Sequence, residues 1–145
     1  MTSRLRSLVL NISGVLLVIL GLLHLAVTPL IARLVRHAVS VPAGEWLVPP
    51  MLLNHVVVGL LLLPLGILTT YAASDAASGV RWAIVTVRTT ALSVAALPVT
   101  LFALLGTRYF EAVPFVVATS IVCVATLALL LAAFWPPSRG KNAAD

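Results

Sequence analysis

Apolar residues fill four long stretches of the chain, at about 8–31, 51–73, 80–105 and 112–135. Each stretch holds at least the roughly 20 residues that an α-helix needs to cross about 30 Å of hydrocarbon. Polar or Pro/Gly-containing segments separate them at 32–50, 74–79 and 106–111, and a polar tail closes the chain at 136–145. The pattern predicts an all-α polytopic membrane protein. A single membrane domain over 1–145 would fold as a bundle of four transmembrane helices.

The punctuation refines this picture. In the first connector Arg33, Arg36 and His37 fall on one side of a helical wheel, with Leu30, Leu34, Val35 and Ala38 on the other. That predicts a short amphipathic helix lying in the interface between the first two spans. Pro42, Gly44, Pro49 and Pro50 then interrupt regular structure, and Trp46 is placed to anchor at the headgroups. Pro64 falls in the middle of the second span, where it removes one backbone donor. Ser78 is positioned to cap the third helix. Arg4 and Arg6 before the first run give it the layout of a signal peptide. Its apolar stretch exceeds the roughly 7–15 residues of a signal core, and no Ala-x-Ala site follows, so it reads as an uncleaved span.

Within lipid, helices associate through small residues and interhelical hydrogen bonds rather than through apolar burial. Each run offers such a seam: Ser7, Gly14, Gly21 and Thr28 in the first; His55, Gly59, Gly66, Thr70 and Ala73 in the second. The third carries Thr86, Ser93 and Thr100, and the fourth Ala112, Thr119, Cys123 and Thr126.

Composition agrees with the pattern. The chain is 61% hydrophobic and 9% charged, with mean hydropathy +1.16. Soluble domains are about 25% charged, so lipid must cover much of this surface. A net charge of +5 would raise nucleic-acid binding in a soluble protein, but here the bases lie at the ends of the runs. They orient the spans instead. Arg4, Arg6, Arg81, Arg139 and Lys141 share the side of both termini, against Arg33, Arg36 and Arg108 on the other. That excess predicts cytoplasmic termini in a multi-pass protein of a bacterial plasma membrane. The bacterial source is read from eight arginines to one lysine and abundant Ala and Val. The lone Cys123 sits inside a run and forms no internal disulfide.

Chemistry is confined to a few interruptions. His24 and His55 lie at similar depths near the outer end, on or beside their helices' seams. Neutral imidazole is a common metal ligand. With Glu45 or Glu111, the two histidines form a candidate zinc or iron site. A haem or a quinone headgroup is the alternative occupant. The bland alternative is a pair of packing histidines. Arg88, seven residues from Arg81 and beside Trp82, lies away from the Thr/Ser stripe and reads as a lipid or partner contact with Arg81 and Trp82. Arg108 and Glu111 suit a local ion pair. No H-E-x-x-H, C-x-x-C, phosphate loop or nucleophile elbow is present. The expectation is a non-catalytic accessory membrane component that contacts the bilayer, a partner subunit or a second copy of itself. A cofactor module at the histidines and an oligomeric transporter are the competing classes. Any cofactor is left undefined by the sequence.

Overall fold

In the computed structural model, the chain is all-helical among the described residues, whose backbone covers 1–38, 44–105 and 113–136. Four helices follow one another: α1 (Ser3–Ala38), α2 (Gly44–Ala77), α3 (Arg81–Leu105) and α4 (Val113–Phe134). Three carry stretches long and apolar enough to cross a membrane, Ser3–Arg36, Val48–Ala77 and Arg81–Leu104. Among the described residues of α4 the apolar stretch is shorter, Thr119–Phe134. Large apolar side chains stand exposed on every helix, with Leu53, Val99 and Val124 each at least 64% exposed. Water would penalise so much apolar surface, whereas lipid does not. The chain is a membrane protein.

Local chemistry explains where the helices begin and end. Thr2 caps α1: its Oγ1 accepts from the Leu5 amide (3.2 Å) and its carbonyl from the Arg6 amide (3.0 Å). A capping hydroxyl satisfies one of the donors that a helix start leaves orphaned. At the end of α2, the Val80 amide donates to the Asp75 carbonyl (2.9 Å) and the Gly79 amide to the Ala76 carbonyl (3.2 Å). This pair of bonds is a Schellman motif, and Gly79 takes the left-handed φ of 93° that it requires. Ser78 therefore sits at the close of α2 rather than capping α3.

Two further boundaries differ from expectation. Residues 32–38 prolong α1 and 44–50 begin α2, so no separate amphipathic helix is seen among the described residues. Nothing between Pro29 and Ala38 breaks a helix, and Arg33, Leu34 and Arg36 are all exposed. Pro49 and Pro50 lie within α2 instead of interrupting it. The tail 137–145, the Arg108–Glu111 pair and Ala112 lie outside the described residues, as do the side chains of His37 and Trp46.

The chain divides into two compact units, Met1–Gly14 with Leu68–Asp145, and Val15–Ile67. In the first, α3 packs on α4. Its core includes Arg6, Leu10, Thr69, Ala72, Ala73, Ala76, Ala83, Val87, Thr90, Ala91, Val94, Leu129, Ala132 and Ala133. On α3 the buried face is thus Ala83, Val87, Thr90, Ala91 and Val94. The Thr86–Ser93–Thr100 stripe is not buried: Ser93 and Thr100 are exposed. Thr86 shows why a hydroxyl can leave the core, since its Oγ1 donates to the Trp82 carbonyl of the preceding turn (3.0 Å). In α4, by contrast, Thr119 and Thr126 of the expected seam are buried. The second unit contains the close approach of Gly21 and Gly59, both buried. A Cβ on Gly21 would lie 2.9 Å from the Gly59 carbonyl oxygen, closer than real side chains come.

Candidate functional site

Among the described residues, each unit holds a cluster of ionisable side chains at a helix contact. The glycine contact builds the first. His24 is three residues after Gly21 and His55 four before Gly59, so each lies one turn from the contact. Close backbones at the glycines press the two imidazoles together. Their ring centroids are 4.7 Å apart with 27° between planes, a stacked pair. His24 Nδ1 lies 3.2 Å from the Leu20 carbonyl. A carbonyl only accepts, so this bond puts the proton on Nδ1 and leaves Nε2 as an acceptor. His55 Nε2 is buried and has no hydrogen-bond partner among the described residues.

Imidazole binds a metal through a lone pair in its ring plane. Stacked rings direct those lone pairs side by side rather than end to end. Axial haem ligation needs the rings end-on to one iron from opposite faces of the porphyrin, and rings stacked at 4.7 Å leave no gap for it. Among the described residues, no group of three His, Cys, Asp or Glu is placed to hold a metal ion. The side chain of Glu45 and all of Glu111 lie outside the described residues. The described geometry supplies two nitrogen ligands and no third.

The second place is the Arg6 end of the other unit. Arg6 is 1% exposed, and its guanidinium donates from Nε to the Ala132 carbonyl (2.9 Å), from Nη1 to Ala76 (2.9 Å) and from Nη2 to Ala133 (3.2 Å). These acceptors belong to the last turns of α2 and α4, where carbonyls lack amide partners and the helix dipole is negative. One buried cation thus ties α1 to the ends of two other helices. Arg88 reaches the same Ala133 carbonyl through Nε (3.4 Å), and its guanidinium lies 5.1 Å from the centroid of the Phe134 ring. Beside it, Arg81 is exposed, and Trp82 pairs with Tyr71 at 5.9 Å between centroids.

The structure therefore brings His24 and His55 together and sets Arg81, Trp82 and Arg88 along the start of α3. The role of Arg6 was missed by sequence reasoning, which treated it as an orienting charge. A signal for it existed: Arg6 lies four, seven and eleven residues before Leu10, Ser13 and Leu17, all on one helix face and all buried. Arg4, about 200° away on the same helix, is exposed. No protein family, curated protein or solved structure matches this chain.

Proposed function

We propose that the chain is a four-span bundle of a bacterial plasma membrane, with both termini cytoplasmic. It acts as a non-catalytic accessory component whose basic end holds anionic lipid headgroups. One observation carries this reading. In the unit Met1–Gly14 with Leu68–Asp145, the described residues hold four arginines, Arg4, Arg6, Arg81 and Arg88, against one acid, Asp75, and Arg4 and Arg81 are exposed. Basic residues at a cytoplasmic surface attract anionic lipid by about 1 kcal/mol each. Arg81 and Trp82 are exposed at that end, where headgroups can reach them. The test is lipid retention. The chain is extracted into nanodiscs of mixed phosphatidylglycerol and phosphatidylcholine, and the bound lipid is counted by native mass spectrometry. Preferential retention of phosphatidylglycerol that weakens with salt is expected. Equal retention of both lipids would sink the reading.

A second reading rests on the orphaned His55 Nε2 in a ring stacked on that of His24. It makes the pair half of a transition-metal site. Zinc and copper titrations of the full chain test it, with stoichiometric binding lost in His24→Ala expected and no binding counting against it.

A further inference from the structure

The same unit contains a groove of about 390 Å³ between the first turns of α1 and the end of α2. Ser3, Arg4, Ser7 and Asn11 line one wall, Ser74 and Ser78 the other, with Leu8 and Ala77 as its apolar part. We infer that this groove seats the phosphate of an anionic phospholipid headgroup. The inference rests on the lipid-binding reading above and locates it.

Three features of the molecule converge on it. The first is donor chemistry. Arg4 is exposed, so its guanidinium is available to pair with a phosphate, for which its fork of donors is matched. Ser3, Ser74 and Ser78 are exposed and add three hydroxyls to the lining of the groove. Asn11 Nδ2 donates to the Ser7 carbonyl (2.9 Å) and to Ser7 Oγ (3.4 Å), which leaves the Ser7 hydroxyl proton to donate into the groove. Asp75, the neighbouring acid, does not line it.

The second is depth. Tyr71 is 75% exposed and Trp82 45% exposed, and their rings meet. Exposed Tyr and Trp side chains sit at the headgroup level of a bilayer. Ser74 lies three residues beyond Tyr71 on α2, about 4.5 Å further along the helix axis. The groove therefore stands at the height of lipid phosphates. The third feature selects a lipid over a soluble phosphate. Leu8 of the groove continues one turn down α1 into Ile12, both more than half exposed, an apolar track on which an acyl chain can lie. The groove volume is near the low end of small-ligand sites, roughly 300–1,000 Å³, which suits a headgroup alone.

The experiment measures binding of short-chain phosphatidylglycerol, short-chain phosphatidylcholine and inorganic phosphate to the full chain in neutral detergent. Arg4→Gln is expected to weaken phosphatidylglycerol roughly fivefold, Arg4→Lys to restore most of it, and Ser74→Leu to block it by filling the groove. All these positions are exposed, and unchanged unfolding midpoints check that the variants fold. Phosphatidylglycerol binding that ignores all three substitutions but falls with Arg81→Gln overturns the groove and leaves the lipid reading standing. No preference for phosphatidylglycerol in any variant overturns both. Inorganic phosphate binding as tightly as phosphatidylglycerol overturns the lipid as occupant.

Discussion

At the Arg6 end helices are joined by a charge, whereas at the Gly21–Gly59 contact they are joined by the lack of side chains. Arg6 reaches from a buried position to three carbonyls on two other helices. Gly21 and Gly59 bring two backbones close together, leaving no room for a methyl group at Gly21 and little at Gly59. Both answer the same condition, that lipid gives helices no apolar reason to associate. They differ in what a substitution removes. At Arg6 it removes partners from buried carbonyls. At the glycines it inserts atoms where none fit.

The largest effect is expected at Arg6. Arg6→Ala strips three donors from the ends of α2 and α4 and leaves a void at a fully buried position. Hydrogen bonds to charged groups contribute roughly 1.5–3 kcal/mol in water-soluble proteins and less in membranes. A loss of about 3 kcal/mol in unfolding free energy, measured in mixed micelles, is expected. Arg6→Lys should recover less than half of it, because an ammonium on a thinner stem cannot span carbonyls on two helices at once. Full recovery by lysine would show that charge at the helix ends matters and the fork does not.

Gly21→Ala comes next. Its Cβ would meet the Gly59 carbonyl oxygen at 2.9 Å, a backbone atom that cannot swing away, and the side chain of Leu63 at 3.1 Å. Overpacking of this kind costs about 1–3 kcal/mol. Gly59→Ala should cost less, since its nearest neighbour is the flexible end of Leu25 at 3.0 Å, although the Gly21 oxygen lies at 3.1 Å. The same unfolding measurement ranks the two. Equal costs would mean that the helices separate as a whole instead of adjusting around one contact.

The two regions also differ in how legible they were. The glycine seam was readable because spacing carries it: Gly14 and Gly21 on α1 and Gly59 and Gly66 on α2 are all buried as their periodicity predicts. The same spacing and an antiparallel chain direction put His24 and His55 at similar depth, but that their rings stack is seen only in the structure. The Arg6 clamp was not readable in that way. An arginine before an apolar run serves equally as an orienting charge, and only folding brings Ala76 and Ala132 within its reach. Arg88 illustrates the same limit. Its helix face looked apolar, but the partner it finds is the terminal turn of α4, a backbone feature that residue identity does not reveal. On α3 the hydroxyl stripe misled because Thr86 satisfies itself locally, so polarity ceased to mark the packed face.

The smallest effects isolate what an unpaired polar atom contributes in each region. His55 Nε2 and Thr126 Oγ1 are both buried without a hydrogen-bond partner among the described residues. A buried group left unsatisfied costs about 1–3 kcal/mol, so removing it at constant shape should not destabilise. Thr126→Val replaces the hydroxyl by a methyl within the helix-packed unit and is expected to raise stability by up to about 1 kcal/mol. His55→Phe keeps a flat ring against His24 and removes the orphaned nitrogen. If the pair only packs, this variant matches or exceeds the parent in stability. If His55 Nε2 serves a ligand, stability still holds but metal or ligand binding disappears. A clear loss of stability in His55→Phe with no ligand present would mean that the nitrogen has a structural partner, and the orphan argument would fail for this region while standing for Thr126.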